Sequence, residues 1–291
     1  MKSLPTGMQY FKEIIENNYL YVDKTKYIHK IASTGKFYFL SRPRRFGKTL
    51  LVNTLEELFK GNKELFEGLY IQDKWNFEKN YPIIKIDFGD ISHDTSSNLK
   101  LSLIKFLKDT AANENIKLED IDLIPDKFSE LIKKLHDKKG KQVVILIDEY
   151  DKPIIKHLDD IELAESNRDI LSSFYQVLKA NDKYLRFVFL TGVSKLGEIG
   201  DFAESANLRF AKFSKTSIFS ELNNLSDLTV DPNFAKICGH TQEELEKYFK
   251  GYINKLAKKY NTSIDITLSY IEKWYKGYSW NGKDFFEIFL F

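Results

Sequence analysis

The chain has 291 residues, and its 44 Lys and Arg against 42 Asp and Glu give a net charge of only +2 at neutral pH. A charge so close to zero gives no overall argument for a nucleic-acid or membrane-surface partner. The single cysteine, Cys238, excludes an internal disulfide and a cysteine-based zinc site, and we expect it to be a small buried residue. The length allows one α/β domain and a smaller second domain.

Targeting and metal signals are absent from the sequence. The first residues contain no apolar signal-peptide core, and no stretch is apolar over the length of a membrane span. The sequence therefore predicts a cytoplasmic protein with no membrane partner. The five histidines include no pair spaced as i,i+4, so they do not predict a metal site.

A basic turn follows an apolar run at 37–41, which predicts a buried strand, and opens an amphipathic stretch at 47–60, which predicts a helix. It ends in Gly-Lys-Thr, as a phosphate-binding (Walker A) loop does: backbone N–H groups bind phosphate, the lysine neutralises charge and the hydroxyl ligates Mg²⁺. The full pattern would have glycine where this chain has Arg42. The predicted nucleotide-binding residues are Arg44, Arg45, Phe46, Gly47, Lys48, Thr49 and Leu50.

Arginine is rare outside this turn. Only six residues of the chain are Arg, and three of them are Arg42, Arg44 and Arg45. Because guanidinium makes bidentate bonds that an ammonium does not, the cluster suggests contacts with phosphate, carboxylate or a protein interface. The alternative is a plain solvated turn. Arg168 and Arg186 are candidates for an arginine that acts on the nucleotide of a neighbouring chain.

A second motif is an apolar strand that ends in two carboxylates. Residues 143–147 are five consecutive apolar residues, typical of a buried parallel strand, and Asp148 and Glu149 follow them. The carboxyl ends of such strands are where α/β sheets bind ligands. Read as a Walker B motif, this predicts that Asp148 holds Mg²⁺ with Thr49. Glu149 would be the general base and Lys48 the second catalytic residue.

Two further strands are predicted at 82–88 and 186–195, the second of which ends in polar groups. The polar loop at 90–95 either approaches the site or, more simply, caps the helix that follows. The second strand leads to Thr191 and Ser194, which we predict to contact the γ-phosphate. Ordinary capping of the strand end is the alternative for both residues.

Other segments are predicted from their patterns. Before the first strand, Tyr19 and Tyr21 either contact an adenine base or, more often in such positions, are core aromatics, while Asp23 is expected to hold their loop in place. Helices are predicted at 126–138, 164–181, 264–276 and from a capping box at Thr241–Glu244 to about Tyr260. Residues 196–213 are predicted to form a mobile surface segment.

These elements predict an α/β fold with a mainly parallel sheet flanked by helices over residues 1–225. A small helical lid is predicted over residues 226–291. The last seven residues, 285–291, carry one charge and no proline, so we expect them to be buried or to be the end of a shortened chain.

Several strings of residues occur together in one known family. They include RPRRFGKT at 42–49, LIDEYDKP at 146–153 and FLTGVSK at 189–195. The chain thereby resembles the bacterial and archaeal AAA-ATPase-like family over about residues 4–280, and the loop without its first glycine is the family's own. The resemblance implies a P-loop NTPase fold, with ATP and Mg²⁺ as cofactors. Extra residues after Lys195 leave Arg209 without a clear family counterpart.

Members of that family often continue into a nuclease-like domain of the PD-(D/E)XK type; we expect none in this chain, so nuclease activity is not predicted. The expected function is Mg²⁺-dependent ATP hydrolysis coupled to a conformational change. The alternatives are a nucleotide-gated switch with little or no turnover and a truncated remnant without function. An unidentified protein or nucleic-acid partner and a homo-oligomer are compatible with this function.

Overall fold

The structure is a computed structural model that describes residues 1–193, 224–280 and 283–286. Its contacts divide the chain into two compact units. Unit 1 comprises Met1–Thr34, Arg42–Glu78 and the described residues from Asp227 onward. Unit 2 comprises Gly35–Ser41 and the described residues from Lys79 to Ser226. The basic turn therefore belongs to unit 1, and the acidic strand end belongs to unit 2.

The described elements alternate between strands and helices. The strands are β1 Phe37–Ser41, β2 Ile83–Asp87, β3 Val143–Asp148, β4 Leu185–Gly192, β5 Ser226–Asp227, β6 Lys276–Trp280 and β7 Lys283–Phe286. The helices are α1 Phe11–Glu16, α2 Thr25–Thr34, α3 Lys48–Lys60, α4 Ser96–Asn113, α5 Ile124–Lys139, α6 Lys152–Ile155, α7 Ile161–Ala180, α8 Gln242–Tyr248, α9 Lys250–Lys259 and α10 Ile264–Tyr275.

Unit 2 is organised around a mainly parallel sheet with the strand order β2-β3-β4-β1-β5. The pairs β2/β3, β3/β4 and β1/β4 are parallel. All residues of β3 are buried, as its unbroken apolar run predicts, whereas the edge strand β2 alternates between buried and half-buried residues. Helices α4, α5 and α7 contribute to the hydrophobic core of this sheet, where the rings of Phe128 and Phe174 stack at 4.3 Å.

Unit 1 is mainly helical. The amphipathic helix α3 buries Leu51, Leu55 and Leu58, which recur at the three- and four-residue spacing of one helix face. A small core of Val22, Leu245, Phe249, Ile253 and Ile271 joins the N-terminal segment to α8, α9 and α10. Next to it the Lys24 ammonium donates to both carboxylate oxygens of Glu244 at 2.7 Å. This pair ties the N-terminal segment to the first turn of α8.

The α/β class with a mainly parallel sheet and flanking helices is confirmed. So are the N-cap at Thr95 and the capping box of Thr241 and Glu244. The prediction of a single helix from Thr241 to about Tyr260 is wrong. The helix is interrupted at Phe249, two residues before the weak helix former Gly251.

The C-terminal segment also contains strands that the sequence analysis did not predict. Residues 276–286 include the antiparallel pair β6/β7. The dipeptide Asn281-Gly282 between these strands is a hairpin signal in the sequence. The predicted domain boundary after residue 225 stays a prediction. The predicted mobile segment at 196–213 and the last residues, 287–291, lie outside the described residues.

Candidate functional site

The basic turn starts directly after β1 and ends at the first residue of α3. Gly47 is the N-cap of α3 and has a φ of 81°, a left-handed conformation that glycine adopts without strain. Arg45 also has a positive φ, of 68°, which is uncommon for a residue with a Cβ atom. The chain is therefore tightly folded just before a helix N-terminus, where backbone N–H groups favour an anion.

Lys48 lies inside this turn. Its side chain is buried, and its ammonium donates to the carbonyl oxygens of Arg42 and Pro43, both at 2.8 Å. The turn is also held at Phe46, which is fully buried and whose carbonyl accepts a hydrogen bond of 3.1 Å from the Gly239 N–H. The turn is thus closed around a positive charge and anchored to the segment before α8.

Arg42 occupies the position where the full loop pattern has glycine, and it is only 1% exposed. Its Nη1 donates to the carbonyl of Thr229 at 2.9 Å, and burial lowers the pKa of its guanidinium. A plain solvated turn is therefore the wrong interpretation for Arg42. The side chains of Arg44 and Arg45 are exposed, while Thr49 and Leu50 are half-buried in the first turn of α3.

In unit 2 the acidic strand end has its own local geometry. Asp148 closes β3, is only 2% exposed and accepts the Glu149 N–H at 2.9 Å. Glu149 has a φ of 51°, a left-handed conformation that is costly outside glycine and that occurs more often at functional sites. The Lys152 ammonium donates to Oε2 of Glu149 at 2.5 Å, with each side chain about one-third exposed.

Three charged groups converge on Gly89 in this unit. The parallel register of β2 and β3 places Asp87 opposite Asp148, and the Gly89 N–H donates to Oδ1 of Asp87 at 2.7 Å. A Cβ atom on Gly89 would lie 2.8 Å from Asp87 Oδ1, 3.2 Å from Lys152 Nζ and 3.3 Å from Glu149 Oε2. Burial, and next the charge of Glu149, raise the pKa of Asp87, while its bond from Gly89 and the charge of Lys152 oppose the shift.

The sequence patterns do not identify Asp87, Gly89 and Lys152 as members of this group. The pairing of Lys152 with Glu149 could have been inferred from the sequence, because the two residues are three positions apart. The position of Asp87 could not be inferred in this way, because it depends on the register between two strands.

The two polar residues predicted after β4 have different outcomes. Thr191 is fully buried, and its hydroxyl donates to the carbonyl of Leu40 at 2.9 Å, which links β4 to β1. This bond matches the alternative of strand-end capping, and a contact between Thr191 and a nucleotide stays a prediction. Ser194, like Arg209, lies outside the described residues.

Of the two N-terminal aromatic residues, Tyr21 lies in a packed environment. The ring of Tyr21 lies edge-on to Phe11 at 5.0 Å, and burial raises the pKa of its hydroxyl. This supports the interpretation of Tyr21 as a core aromatic. Asp23 accepts the backbone N–H groups of Thr25 and Tyr70, each at 2.8 Å, so it holds its loop in place as predicted.

The two remaining arginine candidates are engaged locally. Nη2 of Arg168 donates to Oδ1 of Asp169 at 2.9 Å. The guanidinium of Arg186 lies over the ring of Tyr81 at 5.8 Å from its centroid. A role for either arginine on a neighbouring chain stays a prediction.

The chain belongs to the family described as Predicted AAA-ATPase, whose model matches residues 5–200. It is also 37% identical over 283 residues to the "Uncharacterized protein in vnfD 5'region" of Azotobacter chroococcum mcd 1. That match covers 97% of this chain and 49% of the relative, so the chain spans about half of the relative's length. Membership of this family supports a nucleotide-binding, ATPase-like function in general terms.

Among solved structures, a DNA replication initiation factor matches with 12% identity over 84% of this chain and 53% of its own, at a TM-score of 0.28. Among the helices of the described ranges, none combines the length and the apolar character that crossing a membrane requires.

Proposed function

We propose that this protein binds ATP with Mg²⁺ and hydrolyses it, and that hydrolysis drives a conformational change. The observation that carries this proposal is the turn at 42–49, in which a left-handed Gly47 opens α3 and the Lys48 ammonium is held by two carbonyls of the turn. A fixed positive charge beside a helix N-terminus suits the β- and γ-phosphates of a nucleotide.

The roles follow from the chemistry of each group. Lys48 binds the phosphates, with backbone contacts from Phe46 and Gly47 and packing from Leu50. Arg44 and Arg45, which are exposed, bind phosphate or a partner protein. The magnesium ligands in this proposal are Thr49 and Asp148, an oxygen set that suits this hard cation, and Glu149 is the base that orients water. Thr191 and Ser194 contact the γ-phosphate.

A second candidate is a nucleotide-gated switch with little turnover. The observation that favours it is the ion pair of 2.5 Å between Lys152 and Glu149, because it occupies the carboxylate that would orient the attacking water. In this case ATP binding alone would shift the conformation of the protein. Either candidate is compatible with a cytoplasmic protein that forms homo-oligomers or acts on another protein or a nucleic acid.

The test is to measure ATP binding and phosphate release for wild type, Lys48→Ala and Glu149→Gln. Loss of the charge-assisted bonds of Lys48 should weaken ATP binding at least about tenfold. Glu149→Gln should keep the binding and lower phosphate release by about a hundredfold or more, since a general base contributes that much. Lys63→Ala and Glu162→Gln, which change exposed residues, are the matched controls and should behave like wild type.

The outcomes separate the candidates. Unchanged ATP binding in Lys48→Ala would contradict the site. Tight binding of ATP by wild type without phosphate release would support the switch instead. In that event Lys152→Met should start release if the ion pair is what restrains Glu149.

A further inference from the structure

Two histidines and an aspartate form a cluster in unit 2 that the nucleotide chemistry does not use. His93, Asp94 and His157 each offer a ligand atom, and these three atoms lie within 4.8 Å of one another. Nδ1 of His93 lies 3.0 Å from Nε2 of His157. The pair is not apparent in the sequence, because 64 positions separate the two histidines along the chain.

The fold brings these residues together through two loops. His93 and Asp94 lie between β2 and α4, just before the N-cap Thr95, and His157 follows α6. Strands β2 and β3 are parallel neighbours, so the loop that carries His93 and the turn that leads into α6 start at the same edge of the sheet. The fully buried Asn167 fixes them further, since its amide donates to the carbonyls of His93 at 3.3 Å and Pro153 at 2.9 Å.

Two imidazole nitrogens and a carboxylate oxygen are a donor set that zinc prefers. Tetrahedral coordination with bonds near 2.0–2.2 Å places the ligand atoms about 3.4 Å apart. The two imidazole nitrogens, at 3.0 Å, are close to that separation and already face each other. The side chain of Asp94 is 67% exposed, so its carboxylate can rotate toward the imidazoles without disturbing the core.

We propose that His93 Nδ1, His157 Nε2 and the carboxylate of Asp94 bind one Zn²⁺ ion, with water as the fourth ligand. The ion joins the loop before α4 to the segment after α6. The site therefore clamps the loop after β2 to the end of the short helix α6, which starts near the edge of the sheet where Asp87 and Glu149 lie. This proposal does not depend on nucleotide binding.

The competing explanation is a plain hydrogen bond between the two imidazoles. Burial, and next the charges of Lys156 and His157, lower the pKa of His93, and its neutral form is also the form that ligates a metal. The groups that face His93 are Asp94, Lys152, Lys156 and His157. Of these, Lys156 competes directly with a cation, because its ammonium lies 3.2 Å from Oδ1 of Asp94 in an exposed pair.

The experiment is a Zn²⁺ titration of the full chain, free of affinity tag and of nucleotide, against a competing chelator. We expect one ion per chain. His157→Gln and Asp94→Asn should each weaken the affinity at least about tenfold, because each removes one of three protein ligands. Lys156→Gln should strengthen it, because it removes a competing positive charge. Co²⁺ in place of zinc should give the intense visible absorption of four-coordinate cobalt.

The controls are His29→Gln and Asp73→Asn, which remove the same donor types from unit 1 and should leave the affinity unchanged. His93→Asn is avoided because His93 is buried, and circular dichroism verifies the fold of the other variants. Unchanged zinc affinity in either His157→Gln or Asp94→Asn would overturn the proposal. The double variant, which carries both changes, sets the background affinity, and wild-type binding no tighter than this background would also overturn it. Failure of ATP binding would leave this result untouched, since no nucleotide is present.

Discussion

The basic turn of unit 1 and the acidic strand end of unit 2 are built in different ways. The turn gets its shape from two left-handed residues and from Arg42, a buried cation whose Nη1 donates to the Thr229 carbonyl. The strand end gets its shape from the sheet, because the register of β2 with β3 sets Asp87 opposite Asp148. One motif thus depends on a buried side chain, and the other depends on backbone pairing.

The difference indicates what each motif tolerates. A sheet register is fixed by many backbone hydrogen bonds and by the burial of whole strands, so no single side chain sets it. The turn depends on a few specific contacts, among them the bond from the Gly239 N–H to the Phe46 carbonyl. Single substitutions should therefore perturb the turn before they perturb the strand end.

The largest effect is expected at Arg42. Arg42→Ala should lower the free energy of unfolding by about 3 kcal/mol, because it leaves a cavity and removes the donor to the Thr229 carbonyl. Arg42→Gly, which restores the glycine of the full loop pattern, should cost at least as much. Urea denaturation measures both changes.

Arg44→Ala is the matched control, since it removes an exposed arginine from the same turn and should stay within about 0.5 kcal/mol of wild type. If Arg42→Gly proved as stable as wild type and bound ATP more tightly, the turn would be an ordinary phosphate loop with a dispensable arginine. The contrast between the two motifs would then disappear.

The second-largest effect is a loss of stability in acid, and we expect it to come from His240. This histidine follows Gly239, whose N–H donates to the Phe46 carbonyl. Burial, and next the charge of Lys24, lower the pKa of His240 to about 3 in the folded protein. The unfolded chain takes up this proton below a pH of about 6.5, so stability is complete above that pH and is lost as the pH falls toward 3. At pH 5 the loss attributable to His240 should be about 2 kcal/mol.

The measurement is the free energy of unfolding between pH 4.5 and 7 for wild type and His240→Gln. The variant should be less stable at neutral pH, but its stability should fall less steeply with acid, because its side chain does not titrate. His29→Gln removes a half-buried histidine of the same unit and should keep the wild-type slope. Identical slopes for wild type and His240→Gln would show that His240 does not cause the acid sensitivity.

Signals that act over a few residues predicted the structure well. The strand at 37–41, the Thr95 N-cap and the capping box of Thr241 and Glu244 all follow from short patterns, and all are present. The phosphate turn and the acidic strand end were also found as patterns. Their roles with a nucleotide stay predictions.

The remainder depends on contacts between distant parts of the chain. Nothing around Arg42 indicates that the carbonyl of Thr229, 187 positions away, receives its guanidinium. The convergence of Asp87 and Lys152 on Gly89 requires the register of two strands, and a short pattern contains no information on register. The sequence thus located the two motifs but not the groups that support them.

The smallest effect on stability is expected at Gly89, and it tests the strand end. A methyl group there would meet Asp87, Lys152 and Glu149 at 2.8 to 3.3 Å, and these contacts are the ends of side chains that can move aside. Gly89→Ala should therefore cost only about 1 kcal/mol of stability. Because it displaces the Glu149 carboxylate, it should lower phosphate release at least about tenfold while ATP binding stays near wild type.

Gly277→Ala, at a position with open space, should change neither quantity. If Gly89→Ala kept full phosphate release, the group around Gly89 would have no part in positioning Glu149, and the strand end would depend on register alone.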